Sequence, residues 1–242
     1  MALKTNFNYS PNFSSTKRNP KQIKFLIIHY TGMKKESDAL KRLTKIQSEV
    51  SSHYFIKNNG DIDLLVPDLY VAWHAGKSNW DNHKSLNYKS IGIEVSNPGH
   101  GNGYRKFTDK QIKCLIRISN LMIKKYNIDK NRILGHSDIA PLRKIDPGEK
   151  FPWKKFANKK IGIWHNCKNV ELKKSRKVKI SLKFTSVFIK NLKKIGYYFA
   201  DKKKTNIIKI VKAFQRHYRQ DLINGIIDKE CLIIANNLLK KL

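Results

Sequence analysis

The sequence has few cysteines, few acidic residues and no long apolar run, and each shortage excludes a class of protein. Its three cysteines, Cys114, Cys167 and Cys231, are odd in number and widely spaced. They therefore predict free thiols in a reducing compartment and argue against a disulfide framework. No stretch reaches the roughly 18 apolar residues that a membrane-spanning helix requires. No repeat period indicates a solenoid. The remaining possibility is a globular protein, for which a hydrophobic content of 40% is ordinary.

The first twenty residues also lack something, namely the apolar middle section of a secretory signal. They are polar and rich in Asn, Ser and Lys. We therefore expect residues 1–20 to be an N-terminal extension and the protein to be cytoplasmic. A periplasmic location would require export by another route.

Acidic residues are scarce relative to basic ones, with 18 Asp and Glu against 50 Lys and Arg and a net charge of +32. Such a charge has two explanations: the codon bias of an AT-rich genome, or an anionic polymer as partner. The bases are mostly lysine and are spread along the whole chain. No recognised nucleic-acid motif is present, and basic residues are not interleaved with stacking aromatic residues. We therefore predict no nucleic-acid partner.

The chain divides into four segments by composition and periodicity. Residues 1–20 are the polar extension, and residues 21–164 form a first module of interspersed strands and helices. Such a module is typical of an α/β or α+β sheet domain with helices packed on the sheet. Residues 165–181 are Lys-rich with little apolar pattern, which indicates a linker. Residues 182–242 predict a small three-helix domain, with helices at 185–195, 206–218 and 228–239.

Within the first module, strands and helices follow from apolar spacing. The run 25–29 is typical of a buried strand, and the alternating pattern of 90–96 predicts another. Thr108 is the predicted N-cap of a helix over 109–126. Two strands at residues 51–56 and 62–66 are predicted to form a hairpin around Asn59-Gly60. The apolar residues of segment 34–49 have helical spacing. A polar loop is predicted at residues 81–88, and a short strand at residues 132–135.

Three residues in this module predict a metal site. His29 ends the buried strand 25–29, and His136 and Asp146 lie in a segment that is punctuated by Pro and Gly. Proline and glycine restrict the backbone, so these side chains can be held at set angles. Two imidazoles and one carboxylate are a plausible ligand set for catalytic zinc, since three protein ligands leave the fourth tetrahedral position open.

Two further residues are predicted to complete a hydrolytic site. Glu94 lies in an otherwise apolar strand and is the best candidate for the base that takes a proton from water. Gly92, on the same face, would leave room for substrate. Lys144 could stabilise the oxyanion that forms when a carbonyl carbon becomes tetrahedral. Trp73 and His74, in a loop of small residues, are candidate substrate contacts.

Each of these residues also has a structural interpretation when it is taken alone. A histidine at a strand end is often a packing residue, and a glutamate can lie on the solvated face of an edge strand. Asp146 before a proline is also typical of turn chemistry. Lys144 could be merely solvated in a chain this rich in lysine. Asp138 is expected to cap or orient its loop, and His217 to lie on the surface or in packing.

The motifs together resemble the zinc-dependent N-acetylmuramoyl-L-alanine amidases of the type 2 family, which are related to peptidoglycan recognition proteins. The resemblance implies zinc on His29, His136 and Asp146, with Glu94 and Lys144 catalytic. It also implies a mixed central sheet flanked by helices. The matching segments span nearly all of the first module in the family's order: 28–31, 52–54, 73–76, 90–94, 135–141 and 146–148.

The second module resembles a peptidoglycan-binding three-helix domain, chiefly through residues 211–216 and 221–228. This resemblance implies that peptidoglycan or a muropeptide is the partner, in cell-wall turnover or muropeptide recycling, and that the helices tether the catalytic module to the wall. We expect a monomer. The alternative function is a non-catalytic peptidoglycan sensor, against which the intact His29, His136, Asp146 and Glu94 argue.

Overall fold

The structure, a computed structural model, describes residues 5–201 and 203–242. This part of the chain contains ten β-strands and eight α-helices. The strands are β1 (Thr5–Phe7), β2 (Phe13–Ser14), β3 (Phe25–Tyr30), β4 (Tyr54–Ile56), β5 (Ile62–Leu64), β6 (Val71–Ala72), β7 (Asn79–Trp80), β8 (His83–Lys84), β9 (Ser90–Val95) and β10 (Ile133–Gly135). The helices are α1 (Glu36–Thr44), α2 (Asp109–Tyr126), α3 (His136–Ile139), α4 (Trp153–Asn158), α5 (Asn169–Ser175), α6 (Leu182–Ile195), α7 (Lys204–Tyr218) and α8 (Lys229–Leu239).

The central element is a six-stranded mixed sheet with strand order β1-β5-β4-β9-β3-β10. Only β4 and β5 pair antiparallel in this sheet, through the predicted hairpin. The neighbours β4, β9, β3 and β10 run parallel, so their carboxyl ends meet at one edge. This confirms the expected mixed sheet flanked by helices. None of the described helices is long and apolar enough to span a membrane.

One face of the sheet packs against α2 and α4. The alternation predicted for 90–96 is observed, because Ile91, Ile93 and Val95 are fully buried in this core. Helix α2 begins where the sequence predicts, since Thr108 and Gln111 form a capping box: Gln111 N donates to Thr108 Oγ1 at 3.1 Å. Helices α2 and α4 therefore cover this face of the sheet, and the site lies on the opposite face.

The other face of the sheet is covered at one end by the C-terminal helices. Phe25, Ile27 and Leu134 belong to the same apolar cluster as residues of α6, α7 and α8. Helices α6, α7 and α8 are the three helices predicted for this module, and each begins and ends within three residues of its expected bounds. They share a core with the sheet. The remaining end of this face carries His29 and Glu94.

Three local expectations differ from the structure. Residues 165–181, expected to be a linker, contain α5, because Leu172 packs in the apolar core of the C-terminal helices. The lysines around Leu172 hide this apolar position in the sequence. In the segment expected to be an extension, β1 pairs with β5, although residues 1–4 lie outside the described part. The expected polar loop at 81–88 includes the short hairpin of β7 and β8.

Candidate active site

His29, His136 and Asp146 come together at the edge where the parallel strands end. The Nδ1 atoms of His29 and His136 lie 2.9 Å apart. Each of these atoms lies 3.2 Å from Oδ2 of Asp146. All three residues are buried, and their ligand atoms form the one group among the described residues that is suited to holding a metal ion. The predicted ligand set therefore converges in space.

The sheet register and one tight turn bring these side chains together. His29 lies opposite Glu94 in the parallel pair β3 and β9, so the two side chains share a face. His136 follows β10 directly and begins the one-turn helix α3, where the sequence suggests only a loop. The backbone N–H of Ser137 donates to the carbonyl of Asp146 at 2.8 Å. This bond closes the segment between the two ligands.

Burial and neighbouring charge set the ionisation of the cluster. Burial, followed by the adjacent His136, lowers the pKa of His29 to about 4, although Asp146 opposes the shift. Burial by itself would raise the pKa of Asp146, but the imidazoles of His136 and His29 hold it well below its usual range. The cluster therefore offers a neutral imidazole and a carboxylate, the forms that bind a cation.

A chain of hydrogen bonds holds His29 from behind. His29 Nε2 lies 3.0 Å from Nδ1 of His74, and His74 Nε2 lies 3.1 Å from the hydroxyl of Ser90. That hydroxyl donates to the carbonyl of Leu86 at 2.6 Å. Burial, followed by the nearby His29 and His53, lowers the pKa of His74 well below its ordinary value. The neutral ring therefore has one donor and one acceptor nitrogen, and both are used.

Gly92 makes room for His74. A Cβ atom at Gly92 would lie 2.4 Å from Cγ of His74, which is closer than real Cβ contacts. The space that was expected to receive substrate is therefore filled by an imidazole. His74 borders the cavity, but its two nitrogens are engaged with His29 and Ser90, so the ring supports the cluster.

His136 is held by the backbone of the loop that precedes β7. Its Nε2 atom lies 3.2 Å from the carbonyl oxygen of Ala75. The guanidinium of Arg143 also donates to this carbonyl and to that of Lys77, the latter at 2.9 Å. Sequence reasoning missed Arg143, although it lies inside the segment between the two ligands. Both imidazoles of the cluster thus have their second nitrogen fixed.

Glu94 is the unpaired acid beside the cluster. Its Oε2 atom is buried without a hydrogen-bond partner among the described residues. Burial, followed by the negative charge of Asp146, raises the pKa of Glu94 to about 8, although Lys144 opposes the shift. A carboxyl group in this condition is suited to accepting and releasing a proton near neutral pH.

A cavity of about 390 Å³ opens onto these residues. Lys144 lines it and is half-buried, and no hydrogen bond or ion pair of its ammonium with another described residue is observed. Trp73 also lines it, with its indole N–H donating to Ser14 Oγ at 3.2 Å. Arg42 of α1 and Arg143 also line it as cations, and the sequence singled out neither. Six of the seven predicted site residues therefore line one cavity, and the seventh, His29, lies against three of them, His74, His136 and Asp146.

Asp138 has a larger role than the predicted loop cap. Its Oδ2 atom accepts from the backbone N–H of Gly135 at 2.8 Å, as expected of a capping residue. The same carboxylate accepts from the hydroxyl of Tyr197 and from Nδ1 of His217, each at 2.7 Å. His217 was expected on the surface or in packing, and it is 2% exposed. The sequence gives no signal for this long-range pair.

The sequence that forms this site is similar to that of known amidases. Residues 19–149 match the family described as N-acetylmuramoyl-L-alanine amidase. The chain is 36% identical over 233 residues to the N-acetylmuramoyl-L-alanine amidase AmiD of Escherichia coli strain K12, covering 91% of this chain and 83% of that protein. It is 38% identical over 165 residues to the 1,6-anhydro-N-acetylmuramyl-L-alanine amidase AmpD of Haemophilus influenzae, covering 61% of this chain and 87% of that protein.

The fold is also similar to a solved structure over nearly the whole chain. The complex of E. coli AmiD with the substrate anhydro-N-acetylmuramic acid-L-Ala-D-gamma-Glu-L-Lys matches with a TM-score of 0.81 and 35% sequence identity. The match covers 94% of this chain and 92% of that one. The similarity therefore includes the C-terminal helices as well as the sheet.

Proposed function

The chain belongs to the N-acetylmuramoyl-L-alanine amidase family, and on this basis we propose that it cleaves its amide with a zinc ion held by His29, His136 and Asp146. The enzyme hydrolyses the bond between the lactyl group of N-acetylmuramic acid, or its anhydro form, and L-alanine. The observation that carries the zinc proposal is the spacing of the three ligand atoms.

The residues present fit a tetrahedral zinc ion. Ligand atoms about 2.0 Å from such an ion lie about 3.3 Å from one another. The three separations here are 2.9, 3.2 and 3.2 Å. The donor set of two imidazoles and a carboxylate leaves a fourth position for water or substrate. The second ring nitrogen of His29 and that of His136 each make a hydrogen bond to a neighbouring group, as metal-binding imidazoles usually do.

Glu94 is proposed to move the proton during hydrolysis. When bound, zinc supplies Lewis acidity, which lowers the pKa of a water molecule and polarises the scissile carbonyl. The Glu94 carboxylate accepts a proton from the attacking water as its oxygen bonds to the carbonyl carbon. The same group then returns a proton to the nitrogen of L-alanine as the C–N bond breaks, which gives an amine and a carboxylic acid, and the acid then loses its proton to solvent. The raised pKa of Glu94 suits this exchange.

Lys144 is proposed to stabilise the oxyanion. Its ammonium lines the cavity and acts electrostatically on both Glu94 and His29, so it lies near the reacting centre. A donor aimed at the developing negative charge lowers the barrier without costing reorganisation at that moment. Trp73 offers an apolar wall on which a sugar or peptide can lie.

Metal analysis and turnover of paired variants test the proposal. We expect the purified full chain to hold about one zinc ion, and His136→Ala to lose zinc and activity together. Glu94→Gln should keep zinc and lose about 10²- to 10⁴-fold in kcat, because it removes a base and no ligand. The substrate is anhydro-N-acetylmuramic acid-L-Ala-D-γ-Glu-L-Lys, and the released amine is measured.

His83→Ala serves as the control, since this imidazole packs on Phe25 away from the cluster. Full zinc occupancy in His136→Ala would remove His136 from the ligand set. A Glu94→Gln enzyme within a few-fold of the parent would contradict the proposed proton transfer.

A further inference from the structure

The segment that carries two of the three proposed ligands is fastened to the C-terminal helices along its length. Lys209 Nζ of α7 donates to the carbonyl of Leu142 at 3.1 Å. Gln220 Nε2, just beyond α7, donates to the carbonyls of Glu149 and Phe151, each at 2.6 Å. With the bonds to Asp138, the C-terminal module makes hydrogen bonds to four residues of the segment from His136 to Phe151.

Asp138 is the buried centre of these contacts. It is 1% exposed and lies two residues after the ligand His136, in the one-turn helix α3. One carboxylate oxygen accepts from Tyr197, and the other accepts from both His217 and the N–H of Gly135. Three donors to one buried carboxylate fix its position, because a donor that moves leaves a buried charge less well satisfied.

The two donors from the helices are themselves rigid. The ring of His217 stacks on Trp153 of α4 with centroids 3.8 Å apart, and Tyr197 packs against Trp80 at 4.8 Å. Gly196 precedes Tyr197 with a φ of 128°, and a Cβ there would lie 2.3 Å from Trp80. The backbone therefore requires glycine to bring Tyr197 against the sheet module.

We propose that Tyr197 and His217 are positioning residues for the metal centre, acting through Asp138 on the backbone that carries His136. The inference rests on the proposed function, since it assumes that His136 is a ligand. Helix α7 and the turn before it are thus part of the catalytic apparatus. This role of the helices is separate from the predicted attachment to a wall.

Zinc affinity of full-length variants, measured by competition with a chelator, tests this role. Tyr197→Phe removes one hydroxyl and keeps the ring. His217→Phe keeps a ring on Trp153 and removes the donor. We expect each variant to bind zinc more weakly by on the order of tenfold, the lower end of the effect of outer hydrogen-bond partners. His217→Asn should retain most of the affinity, because its amide nitrogen can donate from nearly the position of Nδ1.

A matched control separates positioning from general stability. Phe188→Leu removes apolar contacts from the same helical core, in which the Phe188 ring packs against Phe214. No hydrogen bond joins Phe188 to Asp138 among the described residues. We expect this variant to melt at a lower temperature and to bind zinc as the parent does. At saturating zinc, kcat of Tyr197→Phe should recover towards the parent value with KM unchanged.

Zinc affinities of Tyr197→Phe and His217→Phe within twofold of the parent would overturn the proposal. The proposal would also be overturned if Phe188→Leu lost as much zinc affinity as Tyr197→Phe and His217→Phe at an equal loss of thermal stability. If His217→Phe fails to fold by circular dichroism, Tyr197→Phe decides the question. A parent chain that binds no zinc would instead refute the proposed metal site, so the two failures are distinguishable.

Discussion

At the scale of single residues, the feature that most constrains the site is the support of His29 by His74. A nitrogen of His29 that offers its lone pair to a cation leaves the other nitrogen protonated. That nitrogen, Nε2, faces Nδ1 of His74, which in a neutral ring must then be the acceptor. His74 in turn donates to Ser90. The chain of bonds selects the tautomer of His29 that presents an unprotonated Nδ1 to His136 and Asp146.

We predict that removing the acceptor at residue 74 weakens zinc binding. His74→Phe keeps the volume against Gly92 but leaves the His29 N–H without an acceptor, so zinc affinity should fall about 10- to 100-fold. His74→Asn, whose side-chain oxygen can accept from His29, should lose less. Isothermal titration of the metal-free variants measures this, with His83→Asn as the control. An unchanged affinity in His74→Phe would show that the bond does not orient His29.

The ligands themselves could be predicted from sequence, whereas their supports could not. His29, His136 and Asp146 lie at strand ends or in a Pro- and Gly-punctuated segment, where the local pattern already signals a constrained side chain. The partnership of His74 with Gly92 depends on a loop folding onto β9, and nothing in either segment alone shows it. From sequence alone Gly92 therefore indicates space for substrate, where the structure has the His74 ring.

At the scale of secondary-structure elements, Asp68 links the end of α2 to β4. Its carboxylate accepts from the hydroxyl of Tyr54 at 2.6 Å, from the hydroxyl of Tyr126 at 2.7 Å and from the ammonium of Lys125 at 2.8 Å. Burial alone would raise the pKa of Asp68, but these donors hold it below its ordinary value. The ionised form is therefore the one that stabilises the fold.

The depressed pKa predicts how stability changes with pH. A carboxyl group whose pKa is lower when folded stabilises the protein above the unfolded value, near 3.8, and this contribution is lost as the pH falls through the folded pKa. We expect Asp68→Asn to lower the free energy of unfolding by about 1–3 kcal/mol near neutral pH. The difference from the parent should shrink as the pH falls below 3.8.

Urea unfolding of parent and variant across this pH range measures the effect. Asp129→Asn is the matched control, because that carboxyl is largely exposed and its one ion pair among the described residues is with Arg132, across 3.6 Å. Its effect should be small at every pH. A loss in Asp68→Asn that stays constant down to acid pH would show that the ionised carboxylate is not the source.

Elements with strong local signals were predicted closely, and those that depend on partners were not. The capping residue Thr108 and the apolar spacing specify α2 to the residue. Helix α5 has one buried leucine, Leu172, among lysines, so its local pattern is too weak to distinguish it from a linker. Its helix exists because α8 provides the surface against which it packs.

At the scale of the whole molecule, the sheet module and the helical module are less separate than their sequences indicate. Composition predicts two modules, and each has its own apolar periodicity. The structure shows that Phe25, Ile27 and Leu134 of the sheet share a core with α6, α7 and α8. Periodicity reports that a face is buried but not what buries it. A wall-binding role for residues 182–242 remains a prediction, as does the use of the net charge of +32 for an anionic polymer.

The shared core changes what truncation should do. A chain that ends at Trp164 exposes the apolar sheet face around Ile27 and loses Tyr197 and His217, the two donors to Asp138. We therefore predict that it loses most turnover of a small soluble muropeptide, along with thermal stability and zinc affinity. A helical domain that only tethered the enzyme would affect insoluble peptidoglycan alone, because tethering raises local substrate concentration without altering the site.

Parallel assays of soluble muropeptide turnover and of binding to purified sacculi distinguish these cases. The full chain in about 1 M salt is the control for lost attachment, since surface charge attraction is then screened within about 3 Å while the shared core stays intact. We expect that control to bind sacculi less and still cleave the soluble substrate. If the truncated chain also cleaves the soluble substrate at the parental rate, the helices do not support the metal centre and act only in attachment.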